Sequence, residues 1–312
     1  MIVIAHRGAC GYLPEHTLAA KALAFAMGVD FLEQDVVMTK DDHPIVLHDI
    51  HLDTVTDVSS QFPGRHRDDK RYYAIDFTLD EINQLQVHER VDHETNQTVF
   101  PGRFPVGKSR FEIPTLKEEI ELIQGLNKST GKNVGIYPEI KRPAWHRREG
   151  KDISMAVLKV LAEYGYDSRE DAIYLQCFDP QETRRLRDEL ETDLKLIQLI
   201  GENKWDEATA EFDQLRTAAG IQEIAEYADG IGPWLPHILK PAKNTKGYIL
   251  TRLVAWAHDH QLKVHAYTLR ADSLPAYAES LDALLTALAG EVKVDGVFTD
   301  FPDKVIKSLS PR

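Results

Sequence analysis

The chain of 312 residues contains only two cysteines, Cys10 and Cys177. Neither their number nor their spacing offers a zinc site or a disulfide scaffold, so two free thiols are expected. No run of 18 apolar residues occurs, and no transmembrane helix is expected. The sequence is strand-like from residue 2 with no secretory leader ahead of it, although a processed start would read the same way. An excess of basic residues is lacking too. Lys and Arg number 37 against 50 Asp and Glu, a net charge of −13. That balance argues against nucleic-acid partners and against an anionic membrane surface, while leaving room for one local basic pocket. There is no G-x-G-x-x-G, no P-loop, no G-x-S-x-G elbow and no H-E-x-x-H, which removes the usual marks of dinucleotide binding, NTP hydrolysis, serine hydrolases and zincins. Neither internal repeats nor low-complexity segments are present. With 43% hydrophobic and 28% charged residues, the composition is that of one soluble globular domain spanning 1–312.

Strand-like runs recur along the chain, at 2–5, 31–37, 134–140, 172–178, 194–200, 230–232, 263–268 and 296–299. Helical stretches separate them: 14–28, 115–127, 153–164, 181–190, 221–227, 250–260 and 273–288. Gly28 suits the end of the first, and Thr115 with Glu118 forms a capping box at the start of the second. Eight strand–helix units predict a (β/α)8 TIM barrel, with an open doubly wound sheet as the alternative. Residues 49–113 interrupt the rhythm. They are rich in Asp, His, Arg and Gly, with one helical patch at 78–86 opened by the Thr78–Glu81 capping box. A polar insertion of this length reads as a lid or substrate segment.

Ionisable residues gather where these strands end. The buried run Ile2-Val3-Ile4-Ala5 stops in His6-Arg7-Gly8. Strand two carries Glu33 and Asp35, which alternation places on one face. In a parallel barrel that face is the packed interior, where two carboxylates cannot both stay ionised without a cation. Oxygen ligands suit Ca2+, with Mg2+ or another divalent ion as alternatives. On a solvated strand the same pair would merely meet Lys or Arg. Strand three adds Glu139 and Lys141, a third carboxylate beside an anion contact or a simple ion pair. His48 ends a short apolar run, and with His6 it offers an acid–base pair. A divalent ion with Arg7 and Lys141, set against three carboxylates, leaves one net positive charge, which suits a phosphodiester. Glu33 and Glu139 alone could also mimic a glycosidase.

In combination, His6-Arg7-Gly8, Pro14-Glu15-His16-Thr17, Glu33-x-Asp35, Leu47-His48-Asp49, Pro138-Glu139-Ile140-Lys141 and Phe298-Thr299-Asp300-Phe301-Pro302 resemble the glycerophosphodiester phosphodiesterases. The likeness is greatest to the bacterial periplasmic, calcium-dependent type acting on deacylated phospholipids. The resemblance implies a (β/α)8 barrel with an insertion after strand two. It implies Glu33, Asp35 and Glu139 as metal ligands, His6 and His48 as proton carriers, and Arg7 and Lys141 as phosphate contacts. Glu15 would support the site from behind. Many members carry Asn where this chain has His16, although the periplasmic type matches it there. Phe178, Trp234 and Tyr267 fall where loops would face a glycerol or headgroup, and Gly8 would let its loop approach the phosphate. The resemblance implies a small glycerophosphodiester substrate and a periplasmic location, with a cytoplasmic one as the alternative; the lack of a long apolar run argues against membrane insertion. It leaves monomer or homodimer open. Two rivals stand beside this reading: a phospholipase D-like phosphodiesterase, and a non-catalytic phosphoester-binding or surface-interaction protein on the same barrel.

Overall fold

The computed structural model describes residues 1–205, 207–242 and 247–309. Eight parallel strands close on themselves: β1 (Ile2–Ala5), β2 (Phe31–Met38), β3 (Gly135–Ile140), β4 (Leu175–Cys177), β5 (Leu196–Ile200), β6 (Gly230–Pro233), β7 (Lys263–Leu269) and β8 (Gly296–Thr299). Closure comes from β1, which pairs with β8 from Ile2↔Gly296 to Ala5↔Thr299 and with β2 at Ile4↔Phe31. The predicted barrel is therefore the fold, and the open sheet is excluded. Near-continuous apolar runs such as Ile2-Val3-Ile4 suit strands covered on both faces.

Helices α1 (Leu18–Met27), α2 (Leu116–Thr130), α3 (Ile153–Glu163), α4 (Pro180–Asp188), α5 (Ala218–Ile224), α6 (Leu253–Asp259), α7 (Leu281–Thr286) and α8 (Pro302–Leu309) follow the strands in turn. The caps behave as their chemistry requires. Thr17 accepts from Ala20 N, and Gly28 closes α1 at φ 93°; Thr115 and Glu118 form the full capping box on α2. The helix expected over 273–288 is shorter. Pro275 cannot donate within a helix, and Ser280 instead caps a helix that begins at Leu281.

One apolar layer lies between barrel and helices, where Leu32, Val36, Leu196, Val264 and Val297 meet Ala24, Ile120, Val157, Ile221 and Ala257. A smaller one fills the barrel lumen, with Ile4, Tyr137, Ile197 and Phe298. His265 belongs to this floor, its Nδ1 2.8 Å from the Tyr137 hydroxyl. Each fully buried side chain of this size stabilises by about 1.5–3 kcal/mol.

Segment 49–113 departs from its polar reading. Leu52, Val58, Phe77, Ile82 and Leu85 are buried in a second core that packs against Val37 and Ile45. A short strand, Pro44–Val46, runs antiparallel to β2 and leads into it. Apart from Ile82 and Leu85 in the helical patch, these apolar residues are widely spaced and share no period, which hid the core in the sequence. Among the described residues no helix is long and apolar enough to cross a membrane.

Candidate active site

The catalytic possibilities converge at the C-terminal ends of the strands, where this architecture collects its reactive groups. Alternation puts Glu33 and Asp35 on the same face of β2, and the parallel register sets Asp35 beside Glu139 on β3. One oxygen from each of the three lies within 4.8 Å of the others. All three are buried, with exposures of 3%, 1% and 5%. Asp35 Oδ1 is buried and has no hydrogen-bond partner. Burial pushes Glu139 well above the ordinary carboxyl range despite the Lys141 charge, and burial likewise raises Glu33 despite His6. Burial acts on Asp35 in the same direction, but His48, His16 and Lys141 outweigh it and hold Asp35 well below the usual value. An orphaned carboxylate oxygen inside an all-oxygen triad is a donor set that fits a hard divalent cation.

Arg7 and Gly8 both take left-handed backbone angles, φ 58° and 84°, and turn the chain sharply after β1. The turn brings Arg7 N 2.8 Å from Glu33 Oε2, to which it donates. A Cβ on Gly8 would meet the Ala20 carbonyl carbon at 2.8 Å. The glycine therefore serves the close approach of this loop to α1. The Arg7 guanidinium donates to both Glu15 oxygens, at 3.1 and 3.0 Å, so Glu15 supports the site from behind as expected. His16 Nε2 lies 2.7 Å from Asp35 Oδ2. Burial lowers the His16 pKa to about 3, so the neutral ring donates to Asp35 much as an amide would.

Each candidate proton carrier has an aspartate on Nδ1. His6 Nδ1 is 2.6 Å from Asp300 Oδ1, and His48 Nδ1 is 2.6 Å from Asp49 Oδ1. Nε2 of each ring is thereby left for the site, and His6 Nε2 lies 4.0 Å from Glu33 Oε2. Burial, followed by the charges of Arg7 and Lys141, lowers the pKa of His48.

A cleft of about 340 Å3 joins these groups. His6, Arg7, Glu33, Asp35, His48 and Glu139 line its polar side, and Phe178, Trp205, Trp234 and Tyr267 its apolar side. Tyr267 donates its hydroxyl to Ile200 O at 2.8 Å, which leaves the ring as its contribution to the wall. Trp205 meets Trp234 edge-on at 5.2 Å. Lys141 is absent from the lining. Its ammonium sits 2.8 Å from Glu139 Oε1 and 3.4 Å from Glu207 Oε2, under the Phe178 ring at 5.6 Å. Its charge is met by Glu139 and by Glu207, a carboxylate the sequence count left out, while Arg270 on the cleft is a cation that count also left out.

Sequence reasoning passed over Gln176, Trp205, Glu207 and Arg270, all of which line the cleft. Gln176 is the register partner of Glu139 and donates to Glu33 Oε1 at 3.2 Å. Arg270 directly follows β7, so the rule that found His6 would also have found it; Gln176, uncharged and inside β4, escapes that rule. Trp205 and Glu207 sit deep in the loop after β5 and carry no such mark.

The chain matches the glycerophosphoryl diester phosphodiesterase family over residues 6–304. It belongs to that family. A Haemophilus influenzae protein named glycerophosphodiester phosphodiesterase is 46% identical over 325 residues, covering 99% of this chain and 89% of the relative. A Treponema pallidum protein of the same name is 39% identical over 327 residues, covering 99% and 91%. Among solved structures, a glycerophosphoryl diester phosphodiesterase from Silicibacter pomeroyi superposes with TM-score 0.75 at 25% identity, covering 99% of this chain and 92% of its own. An Oleispira antarctica phosphodiesterase in complex with the product sn-glycerol-3-phosphate shares the fold, with TM-score 0.66 at 19% identity, covering 99% and 96%.

Proposed function

We propose that this chain hydrolyses glycerophosphodiesters, such as glycerophosphocholine, to sn-glycerol 3-phosphate and a free alcohol. The carrying observation is the cleft itself, where an oxygen triad from Glu33, Asp35 and Glu139 adjoins two histidine–aspartate pairs. A divalent cation held by the triad would lend positive charge to the phosphoryl oxygens. The Arg7 guanidinium adds charge on the same side, and Glu15 fixes its direction. His6 and His48 move the two protons of the reaction through Nε2, one from the attacking oxygen, which is water or the substrate's own 2-hydroxyl, and one to the leaving alcohol. Lys141 favours the charged form of Glu139 and aims it from behind instead of meeting the phosphate itself. Phe178, Trp205, Trp234 and Tyr267 offer apolar faces to the carbon skeleton of glycerol or headgroup.

Calcium is the preferred ion in this reading, because carboxylates on neighbouring strands offer flexible oxygen ligands. His16 supports the periplasmic type, whose members carry the same residue there, and deacylated phospholipids are the corresponding substrates. The deciding assay measures turnover of glycerophosphocholine with Ca2+, with Mg2+ and with EDTA. Expected is hydrolysis that EDTA abolishes and Ca2+ restores. Full activity under chelation would overturn the metal reading, and no activity on any glycerophosphodiester would overturn the whole.

A further inference from the structure

No residue of 49–113 lines the cleft, yet the insertion opens with Asp49, the partner of His48, and touches both histidine–aspartate pairs through two arginines. Arg103 Nη2 donates to Asp300 Oδ2 at 2.6 Å, while Asp300 Oδ1 faces His6. Arg103 is held in turn by Asp272, at 2.9 and 3.2 Å, and lies over the Phe100 ring at 3.7 Å. Arg90 Nη1 donates to Asp49 Oδ2 at 2.5 Å, while Asp49 Oδ1 faces His48. The same guanidinium reaches Glu15 at 2.6 and 3.1 Å, and Glu15 holds Arg7. Both arginine side chains are largely buried, at 4% and 14% exposure.

We infer that Arg103 and Arg90 are positioning residues, through which the insertion sets the orientation and tautomer of His6 and His48 from outside the cleft. An imidazole can rotate about its Cβ–Cγ bond, and either nitrogen can carry the proton. A carboxylate on Nδ1 fixes both, provided the carboxylate itself cannot turn. Asp300 has two oxygens and uses both, one accepting from the His6 ring and the other from arginine. Arg270 shares the second oxygen at 2.9 Å, but it also lines the cleft, so its loss would confound two effects. Arg103 touches no cleft atom and is the cleaner probe. Asp49 follows the same design, with Arg90 on the oxygen that His48 does not use. The held carboxylates are charged: burial raises Asp49, and Arg90 and His48 more than reverse it. The two halves of the acid–base pair, far apart in the chain, are thus set by a single appended core. Arg90 also ties the anion contact Arg7 to the same frame.

This inference rests on the proton-transfer roles proposed above, and its test separates the two. The wild type and Arg103→Ala are compared by steady-state kinetics on glycerophosphocholine and by the low-field proton signal of His6 Nδ1–H, assigned by its loss in His6→Gln. The signal needs neither substrate nor metal. Expected in Arg103→Ala is loss or broadening of that signal with kcat lowered by about 10- to 100-fold, the usual scale for an orienting partner, and KM changed less than about threefold. Arg103→Lys, which returns a charge, recovers part of both. If Arg103→Ala does not fold, Arg103→Gln carries the same two readouts. Unchanged kcat with the signal lost, lowered kcat with the signal intact, or no change in either would overturn the inference. A wild type inactive on glycerophosphodiesters would instead overturn the proposed function, whatever the signal does.

Discussion

Metal binding to the carboxylate triad should release protons, and its affinity should therefore rise with pH. Three oxygens within 4.8 Å repel one another when ionised. At an effective dielectric constant near 20, each pair costs about 3.5 kcal/mol, so the full triad costs roughly 10 kcal/mol. Without a cation the protein avoids that cost by keeping Glu139 well above, and Glu33 above, the ordinary carboxyl value of 4.5, while Asp35 stays ionised. A cation must displace whatever protons remain on Glu33 and Glu139. Each displaced proton makes the apparent Kd fall about tenfold per pH unit, or about 1.4 kcal/mol. The expected slope of log Kd against pH is negative, about −1 for each of the two carboxyls that still holds its proton in the free protein. Titration calorimetry with CaCl2 from pH 5.5 to 7, in buffers of different ionisation enthalpy, gives slope and proton count independently. Stability gives a second check. A carboxyl with a raised folded-state pKa favours folding below its ordinary value, and that contribution is lost as pH climbs through the raised one. The increment in Tm given by Ca2+ should therefore grow with pH. Remote buried histidines such as His146, His237 and His265, which burial lowers to about 4, act on both forms alike and cancel in the difference. Asp35→Asn should remove both effects, since it deletes the ligand that is ionised at rest. A flat Kd–pH relation with no proton release, or unaltered Ca2+ binding in Asp35→Asn, would refute the reasoning.

Other substitutions separate the remaining roles. His48→Ala should lower kcat by about 100- to 10,000-fold while keeping the Ca2+ increment in Tm, and loss of that increment would make His48 part of the metal site. Arg7→Ala should reduce kcat/KM by roughly 100- to 1,000-fold, the scale of a lost charge-stabilising donor; an unchanged value removes it from the phosphate site. Trp234→Ala should raise KM for glycerophosphocholine with kcat little altered, as expected of binding common to ground and transition states. Gly8→Ala should cost about 1–3 kcal/mol in urea unfolding, because its Cβ has backbone rather than a movable side chain as neighbour; a change under half of that would contradict the close approach to α1.

The sequence was most readable where chemistry and periodicity coincide. Glu33 and Asp35 alternate on one strand, and no soluble exterior face needs two carboxylates within an apolar run, so the triad could be anticipated before any geometry. His6 and Arg7 stand directly after a strand of branched residues. Caps at Thr115 and Thr78 follow local rules and sit where those rules place them, whereas the first helix, expected from residue 14, starts only after its Thr17 cap. Readability failed where the partner is distant or the signal is compositional. Lys141 shares a face with Glu139, and a lysine on that face looked available to an anion; only Glu207, from the loop after β5, reveals that it is engaged on two sides. Pro275 was overlooked inside a helical pattern and moved the start of α7 to Leu281.

The insertion is the sharper case, because its polar composition suggests a lid or substrate segment and hides the core it carries. Buried or half-buried arginines need carboxylates, and a segment supplying them must itself be anchored, here by Leu52, Phe77, Ile82 and Leu85. Arg103 and Asp300 are 197 residues apart, and Arg90 and Glu15 are 75 apart. Contacts over such separations leave no period in the sequence. They leave only an unbalanced count: two aspartates behind two histidines, each with an oxygen that a lone imidazole cannot satisfy. A buried carboxylate with a free oxygen demands another donor, and the strands alone offer only Arg270 to one of the two. The barrel by itself would leave Asp300 with Arg270 alone on its second oxygen and His48 without Asp49, the residue that opens the segment, and this is why the charged segment belongs to the reacting centre although none of it faces the cleft.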